Sequence, residues 1–96
     1  MALSEESLET ALEMVKIRLN RADGALDEYL ENRLAAEAET LAGNGIALTD
    51  TMQDIMLLVD MTAWRHNNRD KAGTMPEWLR LARRERWLKE GHDDTG

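Results

Sequence analysis

The sequence predicts an all-α domain, a compact bundle of four helices with the third at its centre. Three observations predict it. Apolar residues recur at three- and four-residue spacing through most of the chain, as they do on one face of a helix. No segment sustains strand-like alternation with β-branched enrichment; Phe is absent and Val is scarce. Gly-containing turns and a single proline cut the chain into four pieces of helical length.

The first helix is expected over residues 4–19. Ser4 is a suitable N-cap, and Glu5 and Glu6 lie in the first turn, where the helix dipole favours acids. Leu8, Leu12, Val15 and Leu19 form its buried stripe. Asn20-Arg21-Ala22-Asp23-Gly24 breaks it. The second helix is expected over 25–41, with Leu26, Leu30, Leu34, Ala38 and Leu41 inward and Ala35 and Ala36 beside them. Gly43-Asn44-Gly45 ends it, because Gly and Asn tolerate the left-handed conformation that closes helices. Ile46 and Leu48 tether the following loop to the core.

The third helix, capped by Thr49 or Asp50 and running to about 68, carries the run Ile55-Met56-Leu57-Leu58-Val59-Asp60-Met61-Thr62-Ala63-Trp64. Asp50 and Gln53 have capping-box spacing. The run is too short for a bilayer, which needs about 20 apolar residues. Met52, Ile55, Met56, Val59 and Ala63 share one stripe, Leu57 and Trp64 a second, and Leu58 and Met61 a third. A helix apolar nearly all round needs cover all round, from the other helices or from neighbouring subunits. The Trp64 indole, a core residue on this reading, can donate to Asp60 one turn earlier. Pro76 opens the fourth helix, 76–89, at the position where proline is favoured. Residues 1–90 thus form a single domain and 91–96 a flexible tail.

The core expected from these stripes is Leu12, Val15, Leu19, Leu30, Leu34, Ile55, Val59 and Ala63, with Trp78 and Leu81 from the last helix, whose Leu79, Ala82 and Leu88 are placed on the Trp78 side. Trp87, nine residues from Trp78, is then left outside among Arg80, Arg83 and Arg84. A tryptophan ringed by arginines has the composition of a protein–protein hot spot. An intrachain cation–π cover on Arg83, or a helix that unwinds before Trp87, accounts for the same residues. Candidate partner-binding residues are therefore Arg65, Arg69, Arg80, Arg83, Arg84, Arg86 and Trp87.

The net charge is −7 and unevenly placed: residues 1–50 hold four Lys/Arg against eleven Asp/Glu, whereas residues 64–89 hold eight against three. Acidity argues against a general nucleic-acid binder. The asymmetry suits head-to-tail association, and chance clustering on a solvated surface also produces it. Without cysteine, a disulfide framework and a Cys-ligated zinc site are excluded. The acidic N-terminus has no apolar segment of the signal-peptide kind, and no transmembrane helix is expected. Catalytic signatures are lacking. Gly43-Asn44-Gly45 has no following Gly-Lys-Ser/Thr. His66 and Asp70 fit a surface ion pair better than a metal site. The pairs Glu9/Glu13 and Asp27/Glu31 fit solvated helix faces. Neither an enzyme nor a cofactor is expected.

Taken in order, these pieces resemble a known family. Leu12-Glu13-Met14-Val15-Lys16-Ile17-Arg18-Leu19 opens the chain, and an acidic turn and an Ala-rich helix follow. After the Gly/Asn turn comes the apolar helix, ending in an aromatic and Asn68-Arg69-Asp70. Met75-Pro76-Glu77-Trp78-Leu79-Arg80 and Arg86-Trp87-Leu88 close the pattern. Over about residues 8–89 it is similar to the small head–tail connector (neck adaptor) proteins of long-tailed phages and prophages. It departs by an extra residue or two between Trp64 and Arg69, and by Glu77-Trp78 after the proline. The resemblance implies a non-enzymatic structural protein forming a homo-oligomeric ring on the portal. That ring links the portal protein to head-closure or tail-completion proteins and continues the channel through which DNA passes without specific binding. It also implies a location in the bacterial host cytoplasm during assembly and then in the virion neck, with no membrane partner. The rival reading is a small helical DNA-binding or regulatory protein that uses Arg80, Arg83, Arg84 and Arg86. A regulator that binds a partner helix is a third.

Overall fold

The computed structural model describes residues 3–20, 24–68 and 74–91. Four helices follow one another: α1 (Glu5–Arg18), α2 (Asp27–Gly43), α3 (Met52–Asn67) and α4 (Glu77–Lys89). There is no strand among the described residues. The expected tail lies, beyond Gly91, outside the described residues.

Local chemistry sets the ends of the elements. Ser4 caps α1 by accepting from the Ser7 amide at 3.1 Å. Gly45, at a φ of 93°, turns the chain out of α2. The Ile46 amide then donates to the Leu41 carbonyl at 2.8 Å and the Gly45 amide to Ala42 at 3.0 Å. This is a Schellman closure, completed by the burial of Leu41 and Ile46. Thr51 caps α3, accepting from the Asp54 amide at 3.3 Å. Asp50 has a different task from the cap anticipated for it. Its carboxylate accepts from the Ser4 amide at 3.0 Å and from the Ser7 hydroxyl at 2.7 Å, stitching the start of α1 to the α2–α3 loop. These bonds, the Ser4 one foremost, hold the Asp50 carboxyl below its usual range. Pro76 stands just ahead of α4 with extended backbone.

Helix α3 is central: among the described residues it alone packs against each of the other three helices. It contributes Ile55, Leu57, Leu58, Val59, Met61 and Ala63 to the core. Around it lie Ala11, Leu12 and Val15 of α1, Leu30, Leu34 and Leu41 of α2, and Ile46 and Leu48 of the loop. Leu19 is half-buried against the same cluster. The expected cover is incomplete on one side, where Met52 and Met56 remain 55% and 49% exposed.

Ion pairs trim the edges of this unit. Lys16 pairs with Asp27 at 3.0 Å, joining α1 to α2, so Asp27 is not a free surface acid. Asp60 pairs with Arg18 rather than with the Trp64 indole. Trp64 is half-buried against the core, with the Arg65 guanidinium 5.8 Å from its ring centre. His66 meets Tyr29 edge-on at 5.9 Å, and Asp70, its anticipated partner, lies outside the described residues.

Candidate interaction surface

Helix α4 is the one element whose sequence admits two orientations. Its apolar residues fall on two stripes: Leu79, Ala82 and Trp87 on one, Trp78, Leu81 and Leu88 on the other. The structure turns the first stripe inward. Leu79 is fully buried, and Ala82 and Trp87 are half-buried against the core. Trp78 and Leu81, expected in the core, are 54% and 42% exposed, and Leu88 is exposed beside them. Trp87, expected outside, is therefore the tryptophan that packs on the subunit. The helix is regular throughout; Leu79 and Ala82 face inward as expected, and the helix is turned so that Trp87 replaces Trp78, Leu81 and Leu88 beside them.

A polar residue decides that phase. Asp54, in the first turn of α3, is buried, and it fixes the face of α4 that carries Arg86. The Arg86 Nε donates to Asp54 Oδ1 at 2.8 Å and one terminal nitrogen to Oδ2 at 3.2 Å, a bidentate pairing. The same nitrogen donates to the Ala47 carbonyl at 2.8 Å and lies 3.0 Å from Glu90. Glu90 in turn accepts from the Ala47 amide at 2.9 Å. The Thr49 amide and hydroxyl also donate to Asp54, at 2.7 and 2.9 Å. Burial pushes the Asp54 carboxyl up, but the Arg86 and Thr49 hydrogen bonds outweigh it and hold the group below its ordinary 3.8. Asp54 raises the Arg86 guanidinium in return.

Two of the anticipated contact arginines therefore serve the subunit itself. Arg86 is the latch just described. Arg65 extends its guanidinium to Glu37, an acid that sits buried on α2 between Leu34 and Leu41. Arg69 lies outside the described residues. The remaining four are brought together: Arg80, Arg83, Arg84 and Trp87 line an open cleft of about 450 Å³ together with Asn44 and Ile46. On the other flank of α4, Met56, Leu57, Ala82 and Leu88 border a second open groove of about 490 Å³.

Sequence reasoning missed three determinants here: Asp54, Glu37 and the place of Trp87 on the inward stripe of α4, whose Leu79 and Ala82 it had turned inward. A signal existed for two of them. Glu37 completes the inward series Leu30, Leu34 and Leu41 at helical spacing, and Asp54 stands three residues after the cap Thr51. Among the described residues no group of acids and histidines could hold a metal ion, and no helix is long and apolar enough to cross a membrane.

No family model, no curated protein and no solved structure matches this chain.

Proposed function

We propose that this chain is a structural connector subunit that assembles as a ring on a phage or prophage portal, joins it to head-closure or tail-completion proteins, and works in the host cytoplasm and then the virion neck. The observation that carries this reading is the outward face of α4. A small domain that already has a well-filled core nonetheless presents Trp78, Leu81 and Leu88 to solvent, with Met52 and Met56 exposed on α3. Clustered exposed apolar residues of this kind mark a surface completed by another protein. Charge supports the same reading. The outer faces of α1 and α2 carry Glu5, Glu6, Glu9, Glu13, Glu28, Glu31 and Glu39, all exposed, while α4 as a whole is basic, with Arg80, Arg83, Arg84, Arg86 and Lys89 against Glu77 and Glu85. Complementary patches on different elements favour a repeating head-to-tail contact. Net acidity suits a channel wall along which DNA slides, since cationic walls would hold phosphates.

Electron microscopy of the protein mixed with its portal tests this: a closed ring on the portal vertex is expected, and a stable two-fold dimer that does not engage the portal overturns it. The rival reading, nucleic-acid binding, draws on the cleft formed by Arg80, Arg83, Arg84 and Trp87. Retention on duplex DNA that falls steeply with salt would favour it.

A further inference from the structure

We infer that the cleft between α4 and the turn that ends α2 binds a short acidic segment of a partner protein, through two carboxylates that flank an apolar side chain. This rests on the reading of the chain as a connector subunit and names the chemistry that one of its partners offers.

The cleft is basic and apolar at once. Arg80, Arg83, Arg84 and Trp87 stand at three-, one- and three-residue steps and so share one flank of α4. Asn44 and the buried Ile46 line the space with them, and no acid among the described residues does. Arg80 and Arg83 form no ion pair among the described residues, unlike Arg18, Arg65 and Arg86. The acids of this region stand elsewhere. Glu85 borders the groove on the opposite flank. Glu90 is engaged by Arg86 and by the Ala47 amide. Glu77 lies one turn before Arg80, at the end of the flank. The Trp87 indole is held against the core and gives the guanidinium groups a fixed apolar neighbour. Tryptophan and arginine are among the side chains that most often carry the energy of a protein contact.

Length and surroundings select a peptide over a nucleic acid. The seven steps from Arg80 to Trp87 span about 10 Å of helix. A duplex binder engages about 6–10 phosphates. This flank offers three arginines, with Glu77 before them and Glu90, Asp93 and Asp94 after them in the chain. A continuous polyanion runs onto acids in both directions, whereas a peptide can carry its charge over a few residues only. Arg80 and Arg84 are one turn apart, roughly 6 Å, close to the spacing of alternate side chains on one face of an extended peptide. Continuity also favours a protein. Arg80 and Arg84 lie between the cleft and the exposed Leu81 and Leu88. A partner that buries those leucines also covers the two arginines, and a covered guanidinium without a carboxylate is costly.

NMR titration of the isotope-labelled chain with the blocked peptide Gly-Asp-Leu-Asp-Gly, at low salt, tests this. Saturable shifts are expected at the Trp87 indole N–H and at the Arg80 and Arg83 Nε–H signals, with the Trp64 and Trp78 indoles unmoved. Gly-Asn-Leu-Asn-Gly should move none of them. Arg80→Ser with Arg83→Ser should weaken peptide binding about tenfold or more, as loss of charge-assisted hydrogen bonds does, with an unchanged circular dichroism spectrum. Four results each overturn the inference: no shift at these signals, equal shifts with the asparagine peptide, saturation of the cleft at lower concentration by a ten-nucleotide oligothymidylate or by ATP, or movement of the Arg80 and Arg83 signals in peptide-free Asp93→Asn with Asp94→Asn, which assigns the cleft to those two aspartates. A portal ring formed equally well by the double arginine variant removes this site and leaves the connector reading. Peptide binding by a protein that ignores the portal keeps the site and removes that reading.

Discussion

Helices α3 and α4 are held by different means. Helix α3 is surrounded: it buries apolar residues on every side except the one bearing Met52 and Met56, with ion pairs at its edges. Helix α4 is attached along a narrow line: Leu79 is its one fully buried residue, Ala82 and Trp87 are half-covered, and the Asp54–Arg86 pair aligns it. A residue on α3 is thus constrained by packing, and one on the outer face of α4 is left available for recognition.

Substitutions at graded depths sharpen that contrast. The largest effect is expected at Val59. Val59→Asp places an unpaired carboxylate in the core at a cost of several kcal/mol, comparable to the whole stability of a small domain, and should leave the chain unfolded by circular dichroism. A cooperative melt near that of the parent would mean that α3 is not the centre. Leu79→Ala should remove about 3 kcal/mol in denaturant titration, since a fully buried leucine leaves a cavity. A loss under about 1 kcal/mol would show that α4 contributes almost nothing to the fold.

Arg86→Ala should cost about 2–4 kcal/mol, because it strands the buried Asp54 carboxylate. The pair also predicts an acid limb. Asp54 has a folded pKa below its unfolded value, so its stabilising contribution is complete above about pH 4 and is lost as the pH falls through the depressed folded pKa. Asp54→Asn should flatten that limb of the melting-temperature profile, and an unchanged limb would assign the acid response elsewhere. The two tryptophans give the smallest effects. Trp87→Ala should cost about 1–2 kcal/mol because the indole is half-covered by the core, whereas Trp78→Ala should change monomer stability by less than about 0.5 kcal/mol. The opposite order would restore the phase that the sequence first indicates.

Sequence pattern was informative where a helix has one apolar face. In α1 and α2 a single stripe fits the period, so Leu12, Val15, Leu30 and Leu34 were identified from spacing, and Ser4 and the Gly43-Asn44-Gly45 turn from cap chemistry. In α4 two stripes fit equally well. The sequence reading grouped Leu79 and Ala82 with Trp78, Leu81 and Leu88, but the buried Asp54 required a guanidinium opposite it, and Arg86 lies with Leu79 on the stripe that carries Trp87. A long-range ion pair of this kind has no local sequence signature. The same holds for Glu37, whose carboxylate is tolerable in the core because Arg65 reaches it from α3. Both arginines looked like recognition residues because sequence gives their charge but not their partners.

The latch at Ala47 has a mechanical consequence. Arg86 grips the carbonyl of that residue and Glu90 its amide, while Asp54 anchors Arg86 to the first turn of α3. The last two turns of α4 are thereby riveted to the loop between α2 and α3, and α4 packs on neither α1 nor α2. A pull or push on the outer face of α4 therefore enters the subunit by two routes: through the rivet into the amino-terminal end of α3, and through Leu79, Ala82 and Trp87 into the core. Helix α4 is a beam pinned at a polar end, seated on an apolar line and greasy on its loaded surface, so strain from outside arrives first at the central helix of the fold.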